Sequence, residues 1–314
     1  MRRLLARLAL NAWLTLALAL PAAAADLPKV KSGRLENIES FASVNAPART
    51  VLVWLPDDYR ADGDERYGVL YMHDGQALFD ATSTWNRQAW DIDEVLGRLM
   101  AQGRVRKTLV VGIWNLGAQR SREFTPMPAF TGAPADEQAR FARQLGGAPT
   151  SDAYLKFLVE ELKPYIDKTY RTLPGREHTV VMGSSMGGLM SLYALTRYPE
   201  VFGAAACMST HWPVSTDRAW AEAHGGAANP LAAAFRRYLE LHLPDPATHK
   251  IYFDHGTEGL DALYPPLQAL VDQVMTERGY RQPVSWLSRS FPGADHDETS
   301  WHRRLDAPLA FVLR

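Results

Sequence analysis

A serine hydroxyl is a weak nucleophile at neutral pH. It becomes a catalyst when a base takes its proton, a third group orients that base, and donors receive the charge that develops on the substrate oxygen. Gly183-Ser184-Ser185-Met186-Gly187 has the G-x-S-x-G spacing of a strand-to-helix turn with the serine at its tip. Side chains two residues before and after such a serine would strike the neighbouring chain, and Gly183 and Gly187 carry none. The apolar run up to Met182 and the helix-forming run from Leu189 to Leu195 supply the flanking strand and helix, so Ser185 is the expected nucleophile. The bland alternative is an ordinary glycine turn in a chain with 22 glycines. The helix expected from Met186 to about Tyr198 points its positive end at Ser185, where negative charge would develop.

On this pattern the acid and then the base follow the serine in the chain. Of the histidines after Ser185, His296 is the preferred base, because Pro292-Gly293-Ala294-Asp295-His296 lies between the last expected strand and the final helix. His302 falls inside that helix, and His211 and His255 follow earlier strands, where hydrogen-bonded structural roles suit them better. For the acid, the loop after the penultimate strand offers Glu258 and Asp261. Asp261 is preferred because it opens the next helix, and Glu258 stays a rival. The backbone N–H of Met186 is one expected oxyanion donor, and that of Gln76, in the loop after an early strand, is the other.

The elements that must hold these residues alternate. Strands are expected at 34–43, 49–55, 68–72, 107–114, 178–182, 202–208, 250–254 and 284–291, and helices at 90–101, 151–170, 186–198, 227–241, 262–278 and 299–313. This is an α/β pattern: a central, mostly parallel sheet with helices on both faces, and chemistry at the carboxyl ends of the strands. The stretch 115–148, rich in proline and glycine, reads as a long irregular loop able to form a lid or one wall of a binding site. Residues 1–25 read as a secretory signal peptide, with Arg2, Arg3 and Arg7 ahead of a short apolar core and small residues at 22–25. Residues 26–314 would then form one exported domain, periplasmic or secreted and not inserted in the membrane. A formal net charge of −1 argues against a nucleic-acid partner. The lone Cys207 rules out an internal disulfide, so stability must come from the core. No H-x-H or H-E-x-x-H spacing occurs, so neither metal nor other cofactor is expected.

Four motifs in order, Leu70 to Phe79, Val111 to Asn115 with Arg120 to Pro126, the Ser185 turn, and Gly293 to His296 with Trp301 and Leu305, carry a family resemblance. From about Leu35 to its end the chain resembles the esterase family of α/β-hydrolases that includes enterochelin esterases, S-formylglutathione hydrolase and the antigen 85 mycolyltransferases. The resemblance implies the α/β-hydrolase fold, Ser185 and His296 as nucleophile and base, and Gln76 and Met186 as oxyanion donors. It also implies an arginine facing the substrate, for which Arg120 is the candidate, with a structural Arg–Glu pair as the alternative. Family members commonly carry the acid three residues after the glycine, where this chain has Gly259, so Asp261 matches only with two residues inserted. Trp85, Trp114, Trp212 and Trp301 can line an aromatic acyl or catechol pocket or serve as core and rim residues. The implied substrate is a small-molecule ester, either of a small acyl group or of a siderophore trilactone. An acyltransferase would use the same residues, and a non-catalytic binding module would lack one of them.

Overall fold

The computed structural model describes residues 27–314, so the expected signal peptide lies outside the described residues. Eight strands form one sheet: β1 (Arg34–Phe41), β2 (Arg49–Leu55), β3 (Gly68–His73), β4 (Thr108–Ile113), β5 (Thr179–Ser184), β6 (Ala204–Met208), β7 (Lys250–His255) and β8 (Trp286–Ser290). Their order is β1-β2-β4-β3-β5-β6-β7-β8. β2 runs antiparallel to both β1 and β4, and β3 to β8 pair in parallel.

Side chains along a strand alternate between faces, and a sheet covered on both sides is therefore apolar throughout. β3, β4, β5 and β6 are buried along their whole length. Val51, Val53, Leu109, Val111 and Val181 enter one core, which packs under Met186–Arg197, Pro230–His242 and Pro265–Glu277. Leu52, Trp54, Val110, Val180 and Met182 enter the other, beneath Ile92–Ala101 and Asp306–Val312. Cys207 is buried and unpaired. The parallel register aligns Ser184 with Met208 and Met208 with Asp254, so the ends of β5, β6 and β7 lie level. Residues just beyond those ends are thereby brought together.

Three expectations are corrected. The stretch 115–148 is largely helical, with Arg120–Phe124, Met127–Thr131 and Ala135–Leu145. Its prolines start helices rather than interrupt them: Pro126 and Pro134 precede two of these segments and Pro128 sits in the first turn of one, where a missing N–H costs nothing. The helix expected at 151–170 widens into a π-helical segment at Phe157–Leu162. The closing helix divides at Leu305 into Glu298–Arg304 and Asp306–Val312. Among the described residues no helix is long and apolar enough to cross a membrane.

Candidate active site

Ser185 stands between β5 and Met186–Arg197 at φ 57°, ψ −123°, a conformation that costs a non-glycine residue about 1–3 kcal/mol. Backbone bonds hold it there: its N–H donates to the Met208 carbonyl at 3.0 Å, and its carbonyl accepts from the N–H of His211 at 3.1 Å and of Gly188 at 3.0 Å. A side chain on Gly183 would sit 2.8 Å from the Gly187 backbone, so only glycine permits a turn this tight. The N–H of Met186 opens the helix and has no intrahelical acceptor. Gln76 lies in the short helical turn Gly75–Ala77 after β3 and borders the same cavity as Ser185. Gly75 brings that turn against β4, since a Cβ there would meet the Gly112 backbone at 2.5 Å.

His296 leaves the loop after β8, and its Nδ1 lies 2.5 Å from Asp261 Oδ1. The two loops are joined by backbone bonds, the N–H groups of Thr257 and Glu258 both donating to the Ala294 carbonyl. Asp261 is fully buried. Its Oδ2 accepts from Ser209 Oγ and from the Gly256 N–H, both at 2.6 Å. Burial alone would raise the Asp261 carboxyl, but the bonds from His296, Ser209 and Gly256 hold it below its ordinary range. Glu258 accepts from the neighbouring Thr257 hydroxyl and, among the described residues, makes no hydrogen bond or ion pair with His296. The His296 ring is flanked edge-on by Tyr264 and Trp301, with centroids 5.7 and 5.2 Å away. Ser185 Oγ and His296 Nε2 share no hydrogen bond among the described residues, an arrangement common before substrate binds. Both border one cavity of about 740 Å³.

That cavity also takes in Trp85, Trp90, Trp114 and Trp301. Trp301 donates its indole N–H to Ser209 Oγ, while Trp85 stands at the mouth with 94% of its surface exposed. Trp212, expected at the substrate, lies in the core instead. Its indole N–H donates to Gln268 and its ring packs on Phe253, which satisfies both its polar and its apolar parts outside the two cavities that Ser185 borders. Arg120 reaches the cavity and forms a bidentate pair with Asp74 at 2.7 Å, while Glu123 pairs with buried Arg49 at 2.6 Å. The arginine that borders the cavity is thus engaged by Asp74, and the Arg–Glu pair of this segment joins Glu123 to Arg49. Ser185, Met186 and Arg120 also border a second cavity of about 270 Å³.

Asp74, Ser209, Tyr264 and Arg304 were not singled out in the sequence, yet each supports the site. Arg304 Nη2 donates to Ser209 Oγ at 2.6 Å and pairs with Asp254 at 3.2 Å. The only sequence signal for Asp74 was its place in His73-Asp74-Gly75-Gln76, which reads as a polar turn.

The family model described as "Putative esterase" matches residues 46–312. The chain belongs to this esterase family. It is 28% identical to the ferri-bacillibactin esterase BesA of Bacillus subtilis over 46% of this chain and 49% of that protein. It is 24% identical to an endo-1,4-beta-xylanase/feruloyl esterase of Xylanibacter ruminicola over 55% of this chain and 21% of that protein. The matches therefore span less than two thirds of these relatives' length. In fold it is similar to an IroE-like serine hydrolase from Shewanella oneidensis, with TM-score 0.61, 20% identity, and 89% of this chain and 80% of that one covered. The architecture is the α/β-hydrolase fold.

The chain buries two histidines beside this site, and both bear on its stability. Desolvation lowers His73 and His211 to about 4. An unfolded histidine titrates near 6.5, so between about pH 6.5 and 4 the unfolded chain binds more protons and stability falls as pH falls. Asp93, Asp254 and Asp272, raised above their ordinary range by burial, act in the opposite sense nearer pH 4. The urea midpoint is expected to drop between pH 6.5 and 4.5, with a shallower decline in His73→Phe. Equal slopes in the two proteins would refute the assignment to His73.

Proposed function

We propose that this family member is an exported serine esterase that hydrolyses carboxylic esters through an acyl-enzyme, with residues 26–314 acting as one α/β-hydrolase unit. The observation that carries the reading is Ser185, strained at the end of β5, sharing a cavity with a histidine whose other nitrogen is bonded to a buried carboxylate. Ser185 Oγ attacks the ester carbonyl carbon while His296 Nε2 takes its proton. The carbonyl electrons move onto oxygen, which the N–H groups of Gln76 and Met186 receive. Collapse of this adduct breaks the bond to the alcohol oxygen, which leaves with the proton from His296. Water then attacks the acyl-serine, again giving its proton to His296, and the acid departs as Ser185 regains its hydrogen. Asp261 holds Nδ1 protonated and faces the imidazolium that forms in each half.

An ester needs room on both sides of its carbonyl, and the two cavities that meet at Ser185 supply it. Trp90, Trp114 and Trp301 suit an aromatic acyl group, and Arg120 suits an anionic or catechol substituent. With relatives named as ferri-bacillibactin and feruloyl esterases, this favours small acyl esters and trilactone siderophores as the substrate class.

The test is covalent trapping. Brief exposure to a p-nitrophenyl phosphonate is expected to add one phosphonyl group, mapped by mass spectrometry to Ser185, with loss of activity across a panel of p-nitrophenyl acyl esters and a trilactone siderophore. An adduct on another residue would sink the mechanism. Acyl transfer to added alcohols at the expense of hydrolysis would make the protein a transferase.

A further inference from the structure

Tyr264 lies one short helical turn after Asp261, fully buried, with its hydroxyl 2.9 Å from His211 Nδ1 and 3.5 Å from His296 Nδ1. Burial pushes its phenol well above the ordinary range, so it stays protonated. The direction of the phenolic hydrogen follows from the second histidine. His211 Nε2 lies 2.8 Å from the Ser215 carbonyl, which can only accept, so Nε2 carries the proton and Nδ1 is bare. His211 is buried and neutral at pH 7. Tyr264 must therefore donate to His211, which leaves its oxygen lone pairs for His296.

We propose that the Tyr264–His211 pair is a positioning device for the reaction proposed above: His211 turns the Tyr264 hydroxyl so that its negative end faces His296 when that ring becomes an imidazolium. The hydrogen cannot swing toward the cation, because His211 holds it. This is a dipole set before the reaction starts and aimed at charge that appears only during it, the arrangement that favours the transition state over the bound substrate. The same His211 donates its backbone N–H to the Ser185 carbonyl, so one loop sets the dipole and steadies the nucleophile.

The experiment is a double-mutant cycle on kcat and KM with one p-nitrophenyl ester. Tyr264→Phe keeps the ring against His296 and removes the oxygen. It is expected to lower kcat roughly tenfold at unchanged KM, less than the 10²–10³ of an oxyanion donor because the contact is long. His211→Leu leaves the hydroxyl present but free to turn and is expected to cost about as much. The double variant should be no slower than Tyr264→Phe alone. Thermal melts separate folding from rate: Tyr264→Phe leaves the buried His211 nitrogen without a partner, and the double variant removes that defect while the rate stays low. Wild-type kcat in folded Tyr264→Phe, a loss carried by KM, or strictly additive single effects would overturn the proposal. Ser185→Ala belongs in the same panel. Retained activity there would sink the serine mechanism and this device with it, whereas loss there beside normal Tyr264→Phe turnover would sink the device alone.

Discussion

Ser185→Ala is expected to lower kcat for ester hydrolysis by about 10⁶, the scale seen when a serine nucleophile is removed from a base-activated site. Ser83, Thr84 and Ser184 also border the main cavity, but the Ser83 and Thr84 hydroxyls are bonded to backbone carbonyls and Ser184 lies within β5, not at the strained turn. KM should change little, since the aromatic walls, Arg120 and both cavities stay in place. Thermal stability should also stay near wild type, because alanine at this position must adopt the same positive φ and keeps the same backbone bonds to Met208 and His211. Steady-state kinetics beside a thermal melt decides the matter. A folded variant that hydrolyses at the wild-type rate would mean that Ser185 is not the nucleophile.

Asp261→Asn is expected to lower kcat by about 10⁴, and the geometry says why. Two donors, Ser209 Oγ and the Gly256 N–H, converge on Oδ2, so the asparagine carbonyl oxygen must take that place. Its NH₂ group is then turned to His296 Nδ1. Two donors cannot share that contact, and the imidazole shifts its proton to Nε2, where it can no longer take one from Ser185. The protein should remain folded, because Arg304 keeps its pair with Asp254. Glu258→Gln, three residues earlier, is expected to leave kcat within about twofold of wild type, as among the described residues its carboxylate makes no hydrogen bond or ion pair with His296. Equal losses in the two variants would remove Asp261 from its role.

The choice between these two acids shows where sequence reading runs out. Both stand in the loop after β7, and spacing alone separates them poorly. What decides is the backbone of the loop: the turn at Asp261–Leu263 points Asp261 inward, and Gly256 lets the chain pass so close to the Ala294 carbonyl that a Cβ there would sit 2.0 Å away. Trp212 failed for a related reason. A tryptophan is equally at home in a pocket wall or a core, and a partner for its N–H, here Gln268, 56 residues away, determines which. The prolines of 115–148 were read as breakers because proline starts a helix and ends one with the same letter.

The sequence by itself determined the elements whose signals are local. The apolar runs of β3, β4 and β5, the glycines around Ser185, and the alternation of strand and helix each depend on residues within a few positions of one another, so the sheet, its layers and the place of the candidate nucleophile were legible. Only the tertiary structure decided what stands around that serine. Ser209, Tyr264, Asp261, His296 and Arg304 come from β6, β7 and β8 and the segments that follow them, separated by up to 95 positions along the chain. Their contacts exist because parallel strands end level and deliver distant loops to one edge. Burial favours pairing of the polar groups there, and that long-range pairing, absent from any local pattern, turns a serine on a sharp turn into a candidate active site.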